Sequence, residues 1–144
     1  MFCISYDDDG EYTYQSMLRL GSGFKENDLD ELSSALREYC IEVPPPYYQY
    51  SNIKKTLLPD VWFRPHFVWE VKCADLTLSP DHQTCVGRLH PSSGISGRFP
   101  RFICVRKDKN VTDATTAEQV EQMYLSQSVV KNQQKGAKYS SMDE

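Results

Sequence analysis

Long hydrophobic runs are missing from the sequence. None of its apolar stretches approaches the roughly 20 residues that a membrane-spanning helix requires, and Met1–Ser5 is too short and too uncharged for a signal peptide. The five cysteines are an odd number and include no Cys-x-x-Cys pair, which argues against a disulfide framework. We therefore expect an intracellular protein with reduced cysteines and no membrane segment.

A standard metal-binding pattern is also missing. Cys73, His82, Cys85 and His90 lie within eighteen residues of one another, but their spacing matches no usual zinc motif. We expect no metal site.

What is present suits one globular domain. A chain of 144 residues is long enough to bury about two-thirds of its unfolded surface, and its apolar and charged fractions of 40% and 25% are ordinary for globular proteins. The polar composition after Ser128 predicts a disordered tail over residues 128–144, which leaves residues 1–127 as the domain.

Stretches rich in aromatic and β-branched residues predict several short strands. These are residues 2–6, 12–20, 67–78, 86–89 and 101–106. Asp7–Gly10 supplies a turn between the first two strands, and Ser92–Gly97 reads as a flexible loop.

Two helices are predicted. The first is capped by Asn27 or Asp28 and runs to about Tyr39. The second begins at a capping box, Thr115-x-x-Glu118, and runs to about Gln127.

The segment Arg98–Lys109 reverses the sign of the whole chain. It holds five basic residues and one acidic residue, whereas the formal net charge of the protein is −4. Cationic residues interleaved with aromatic ones suit a polyanion that also offers stacking or groove surfaces, such as nucleic acid. The alternation over residues 101–106 also fits an ordinary half-buried strand.

The same segment resembles the last nucleotidyltransferase motif of ATP-dependent DNA ligases, Arg-x-Asp-Lys, which stands here as Arg106–Lys109. Val68–Pro80 is similar to the segment that opens the central strands of the ligase oligonucleotide-binding (OB) domain. Shorter matches follow the order of eukaryotic ligases of the DNA ligase I type: Leu20–Phe24, Pro59–Trp62, Gly94–Ser96 and Ala114–Thr116. The resemblance covers roughly residues 2–134.

This resemblance implies a mainly β fold with two helices, a Greek-key OB barrel. In the family the first barrel strand precedes the segment that Phe2 begins, so we expect this chain to lack that strand and to leave an open edge beside the 2–20 hairpin. The isolated chain should then be marginally stable or self-associate.

The adenylated lysine of these ligases, in a Lys-x-Asp-Gly motif, is absent. The nearest match, Lys72–Asp75, lacks the glycine. The resemblance therefore implies the C-terminal domain of a nuclear ligase for replication, repair and recombination that uses ATP and Mg²⁺. Without the adenylation domain, in cis or in trans, this chain should not seal DNA.

The resemblance also assigns roles to individual residues. Arg106 and Lys109 would face the β- and γ-phosphates of ATP and stabilise departing pyrophosphate, with Asp108 orienting its basic neighbours. Cys104 stands where the family usually has a basic residue, so one cationic contact is absent.

A second group would contact nicked duplex DNA. Arg98 and Phe99 match the part of the domain that enters the minor groove, where an apolar wedge distorts the duplex. Arg101 would contact phosphate, and Lys72 belongs to the same set. The loop that holds Gly23 lies near the DNA backbone in the family, although it also fits a simple strand-to-helix turn. Gly97 replaces a residue that is commonly larger, which would loosen the wedge.

Three alternatives stay open from the sequence. The chain fits a stand-alone OB module that binds single-stranded or nicked DNA without catalysis, a fragment of an RNA-capping guanylyltransferase, or an inert remnant. The Val68–Pro80 match argues against the guanylyltransferase.

Overall fold

The computed structural model describes residues 1–6 and 10–127. These residues form a mainly β structure with two helices. The strands are β1 Phe2–Tyr6, β2 Tyr12–Ser16, β3 Cys40–Ile41, β4 Tyr48–Gln49, β5 Trp62–Phe63, β6 Trp69–Lys72, β7 Asp75–Ser79, β8 Gly94–Arg98 and β9 Arg101–Val105. The helices are α1 Asp28–Leu36 and α2 Ala117–Ser126, with short 3₁₀ helices at Arg37–Tyr39, Lys55–Leu57 and Val111–Asp113.

The first two strands form the predicted antiparallel pair. The register runs from Phe2 opposite Ser16 to Tyr6 opposite Tyr12. β2 ends four residues earlier than the predicted Leu20, and β4 pairs with it in parallel. Most of the predicted turn between β1 and β2 lies outside the described residues, as does the predicted tail, residues 128–144.

The single central strand predicted for residues 67–78 is in fact two strands. β6 pairs with β9, whereas β7 pairs with β8. Cys73 and Ala74 separate them, and the Ala74 amide donates to the Arg98 carbonyl at 3.0 Å. The stretch that contains β6 and β7 therefore pairs with both strands of the β8–β9 hairpin. The alternation of apolar and polar residues along the sequence cannot reveal this change of partner.

Two predictions for residues 86–97 are wrong. Residues 92–97 were expected to be a loop, yet Gly94–Arg98 is a strand with Ile95 fully buried. Residues 86–89, expected to be a strand, form a turn, with Cys85 and Gly87 at positive φ. The first glycine of β8 is needed for close packing, since a Cβ at Gly94 would collide with the His82 carbonyl oxygen.

Both predicted helices are present. α1 ends at Leu36 and a 3₁₀ turn carries the helical path to Tyr39. α2 has a capping box one residue later than predicted. The Gln119 backbone amide donates to the Thr116 side-chain oxygen at 3.1 Å, and the Thr116 backbone amide donates to the Gln119 side-chain oxygen at 2.9 Å. No helix in the described part of the chain is long and apolar enough to cross a membrane.

The core lies where α2 covers the strands. Ile4, Ile95 and Val120 are fully buried, and α2 contacts β1, β7 and β8. The outer edge of β1 is partly covered, because the Ile4 amide donates to the Thr115 carbonyl at 3.3 Å. The first residues of β1, Phe2–Ile4, border a cleft of about 890 Å³ that also reaches β6. The described strands do not close into a barrel.

Candidate nucleic-acid interface and phosphate site

The turn between β8 and β9 carries an exposed aromatic ring. Phe99 is 73% exposed, and its backbone has φ of 49°. A bulky residue rarely takes positive φ, and such a conformation costs about 1–3 kcal/mol. A large apolar side chain held in solvent on a strained backbone is unfavourable for folding alone, so this hairpin tip is a candidate functional feature.

Arg98 is held beside that ring by an acidic residue on the neighbouring strand β7. Its Nε and Nη2 lie 2.5 Å and 2.6 Å from the two carboxylate oxygens of Asp75. Its Cζ lies 5.4 Å from the centroid of the Phe99 ring. The hydrogen bond from Arg98 lowers the pKa of Asp75, which therefore remains charged at neutral pH.

Lys72 and Arg101 bring two like charges together. They are directly opposite each other in the β6–β9 ladder, and both are exposed. Like charges in opposite positions of an antiparallel pair are destabilising. An anionic partner would relieve this repulsion.

The loop containing Gly23 packs against the hairpin. Ser22 Oγ donates to the Pro100 carbonyl at 2.9 Å, and the Phe102 amide donates to the Ser22 carbonyl at 2.8 Å. Gly23 has φ of 92°, and a Cβ there would lie 2.5 Å from the Phe102 carbonyl oxygen. Close packing therefore explains this glycine, and its DNA contact stays a prediction.

The fold thus gathers five residues that the sequence predicts for DNA binding at one end of the β8–β9 hairpin. They are Gly23, Lys72, Arg98, Phe99 and Arg101.

A second group lies at the opposite end of β9. Arg106 follows the last residue of this strand, roughly 17 Å from Arg101 at the usual rise per residue. Its Nε and Nη2 donate to the two oxygens of Asp108 at 2.9 Å and 2.8 Å, and its Nη1 donates to Glu70 at 3.1 Å. The hydrogen bonds from Arg106 are the main reason that the pKa of Asp108 falls to about 2, and Asp108 in turn raises the pKa of Arg106.

Lys109 completes this group. Its amide donates to the Arg106 carbonyl at 3.3 Å, so residues 106–109 form a turn. Its positive charge is also one of the causes that lower the pKa of Asp108. Arg106, Lys109 and Glu70 all line the 890 Å³ cleft. An oriented guanidinium and an ammonium at the wall of an open cleft suit phosphate oxygens.

Comparison with known proteins identifies the family. Residues 2–109 match the model described as ATP dependent DNA ligase C terminal region. The chain belongs to this family. Its OB fold agrees with the mainly β structure and two helices described above, which confirms the predicted fold class.

Relatives of this ligase C-terminal region carry ligase names. It is 46% identical to DNA ligase 1 of Drosophila melanogaster over 139 residues, which are 96% of this chain and 18% of the relative. DNA ligase 1 of Arabidopsis thaliana is 48% identical over 85% of this chain and 15% of its own length. A DNA ligase of Staphylothermus marinus is 42% identical over 88% of this chain and 20% of its own length. The chain therefore spans no more than a fifth of these relatives.

Two carboxylates that pair with site arginines in the ligase C-terminal region were not predicted from the sequence. Asp75 and Glu70 act on cations 23 and 36 positions away. Only the strand register brings these pairs together, and the one available signal was that both acids lie in the Val68–Pro80 motif.

In the part of the ligase C-terminal region that the structure describes, no group of three or more His, Cys, Asp or Glu side chains is placed to hold a metal ion.

Proposed function

We propose that this chain is the part of an ATP-dependent DNA ligase that closes on nicked duplex DNA, and that its parent seals nicks in replication, repair and recombination with ATP and Mg²⁺. The family membership and the printed names of the relatives support the ligase assignment. The eukaryotic relatives named DNA ligase 1, among them those of Drosophila melanogaster and Arabidopsis thaliana, support a nuclear location. Imaging the tagged parent in its own cells tests that location.

The observation that carries the DNA-binding proposal is the exposed, strained Phe99. An apolar side chain pressed into the minor groove unstacks base steps or spreads sugars, and the widened groove accepts more protein surface. Arg98 and Arg101 flank this ring, and Lys72 lies opposite Arg101. These cations would contact phosphates without reading sequence.

Phe99→Ala tests this proposal. We expect the 144-residue chain with Phe99→Ala to bind a nicked duplex about tenfold more weakly, which corresponds to about 1.4 kcal/mol, because the wedge is lost. Its melting temperature should not fall, since the ring is mostly in solvent. Fluorescence anisotropy and thermal melts measure the two quantities.

Ile103→Ala is the matched control. Ile103 is an exposed apolar residue of β9, 46% exposed, outside the tip, so its truncation should change nick affinity little. If Phe99→Ala reduced melting temperature and affinity in parallel, Phe99 would be a packing residue and the wedge assignment would fail.

The second part of the proposal concerns ATP. Arg106 and Lys109 would hold the outer phosphates, while Asp108 and Glu70 keep the guanidinium in one orientation. The guanidinium fits this task because its side chain remains 32% exposed at the cleft wall despite both ion pairs. When bound, ATP supplies the adenylyl group and pyrophosphate as leaving group, and Mg²⁺ neutralises phosphate charge.

Arg106→Gln separates the two sites. In the parent ligase this change should slow formation of the enzyme–AMP intermediate, because a phosphate-binding cation is lost. In the isolated chain it should leave nick affinity nearly unchanged, since Arg106 lies at the far end of β9. The opposite pattern, weak nick binding with normal adenylation, would remove the phosphate role.

A further inference from the structure

We propose that Asp75 is a specificity-determining residue that sets the preference for nicked over continuous duplex, acting through Arg98. The inference rests on the proposed function, because it takes the β8–β9 hairpin tip as the DNA-contacting surface. Asp75 would not itself touch DNA.

The strand register makes the Asp75–Arg98 pair a built feature. Asp75, the first residue of β7, lies directly opposite Arg98, the last residue of β8. Two parallel N–H···O contacts of 2.5 Å and 2.6 Å fix the guanidinium plane as well as its position. The Arg98 and Asp75 side chains remain 50% and 36% exposed, so the pair lies where a duplex could reach it.

The first consequence is that the charge of Arg98 is offset. Any duplex, continuous or nicked, attracts a free cation through its phosphates, and this attraction carries no information about a nick. Asp75 places a carboxylate against the guanidinium, so a phosphate approaching the tip meets an ion pair rather than a full positive charge. Non-selective attraction at the tip is thereby reduced.

The second consequence is that Arg98 moves together with the Phe99 ring. Asp75 engages Nε and Nη2 and thereby holds the guanidinium 5.4 Å from the ring centroid. In the described residues no other hydrogen bond to this side chain is found, which leaves Nη1 and the second N–H of Nη2 for phosphate oxygens. Arg98 is thus preorganised to bind phosphate when the ring enters the groove. Ring entry needs a deformed duplex, and an interrupted backbone deforms more easily than a continuous one.

A salt series on two duplexes tests this inference. The 144-residue chain is titrated by fluorescence anisotropy with nicked and continuous duplexes of the same sequence. We expect Asp75→Asn to bind the continuous duplex about three- to tenfold more tightly. The slope of log affinity against log salt concentration should become steeper by about one, because the freed Arg98 neutralises one more phosphate. The nicked duplex should gain less, since the guanidinium is no longer held on the ring, so the affinity ratio falls.

Matched variants isolate the cause. Asp60→Asn removes the same charge from an exposed position outside the tip and should leave the affinity ratio unchanged. Asp75→Glu keeps the charge and should retain most of the nick preference. It also serves as the second variant if Asp75→Asn melts too early to be assayed. In an Arg98→Gln background, Asp75→Asn should leave the ratio of the two affinities unchanged, because Asp75 acts on nick preference through Arg98.

The outcomes separate this inference from the proposed function. If the unaltered chain fails to bind nicked duplex at low salt, both are overturned. If it prefers the nick but Asp75→Asn weakens both duplexes equally, Asp75 is only structural and the present inference is overturned alone. The same holds if Asp75→Asn lowers the affinity ratio equally in the Arg98→Gln background.

Discussion

The backbone of Phe99 and the ion pair of Arg98 show how single residues at the tip depend on their surroundings. The residue types were readable in the sequence as a basic strip with aromatic interruptions. Their partners were not, because Asp75 reaches Arg98 only through the β7–β8 register. The same holds for Glu70 and Arg106 across β6 and β9. Candidate cations can therefore be predicted from composition and motif, whereas the carboxylates that orient them require the strand pairing.

Gly23 offers a residue-scale prediction. A methyl group there would lie 2.5 Å from the Phe102 carbonyl oxygen, and the positive φ of 92° is itself unfavourable for alanine. We expect Gly23→Ala to lower the free energy of unfolding by more than about 1 kcal/mol and to weaken nick binding, because the loop that donates to Pro100 must shift. Urea unfolding and anisotropy measure the two effects.

Gly21→Ala is the control for Gly23. A Cβ at Gly21 meets nothing within 4 Å, and this glycine is not at positive φ, so both quantities should stay near those of the unaltered chain. Equal effects of the two changes would show that the loop is merely intolerant of substitution and that contact with β9 is not its purpose.

At the element scale, the β8–β9 hairpin organises both candidate sites, since one lies at its turn and the other at the end of β9. Helices and the first hairpin were predictable because capping residues and alternation are local signals. β8 was not, because Gly94-Ile-Ser-Gly97 has the composition of a loop. Its glycines reflect close tertiary contacts with Cys73, His82 and Thr84, which a local pattern does not contain.

The packing of β8 against the β6–β7 break gives an element-scale prediction. A Cβ at Gly97 would lie 2.5 Å from Cys73 Sγ and 3.2 Å from a Leu18 methyl group. We expect Gly97→Ala to destabilise the chain by about 1–3 kcal/mol through overpacking. Because the closest obstacle is a side chain, Cys73→Ala should recover part of that loss. A double-mutant cycle by urea unfolding measures the coupling between the two positions.

The absence of such coupling would mean that the backbone, and not Cys73, sets the limit on side-chain size at Gly97. It would also count against the expectation that Gly97 loosens the Arg98–Phe99 wedge, because the backbone would then leave no room for a larger side chain at residue 97.

At the scale of the whole molecule, two features bear on what the chain associates with: the distribution of charge and the cleft beside β1. The chain is acidic, yet the segment Arg98–Lys109, which includes the β8–β9 turn and β9, holds five basic residues and one acidic residue, which directs a polyanion to that surface. The cleft has Arg106 and Lys109 at its wall and also includes aromatic and aliphatic residues of β1, β6 and α2 in its lining. The sequence anticipated an open edge beside the first hairpin; the size of the cleft and the partial cover by Thr115 came only from the tertiary arrangement.

A largely apolar cleft beside an incompletely paired strand predicts self-association of the isolated chain. We expect its apparent mass in light scattering to rise with concentration and its melting temperature to depend on concentration. Met123→Lys, in the cleft lining and 50% exposed, should reduce this association because a buried ammonium opposes it. Ile103→Lys, 46% exposed and outside the lining, should not. A sharp monomer melt that is the same at all concentrations would show instead that residues 1–127 form a self-sufficient fold, with the cleft stable in water.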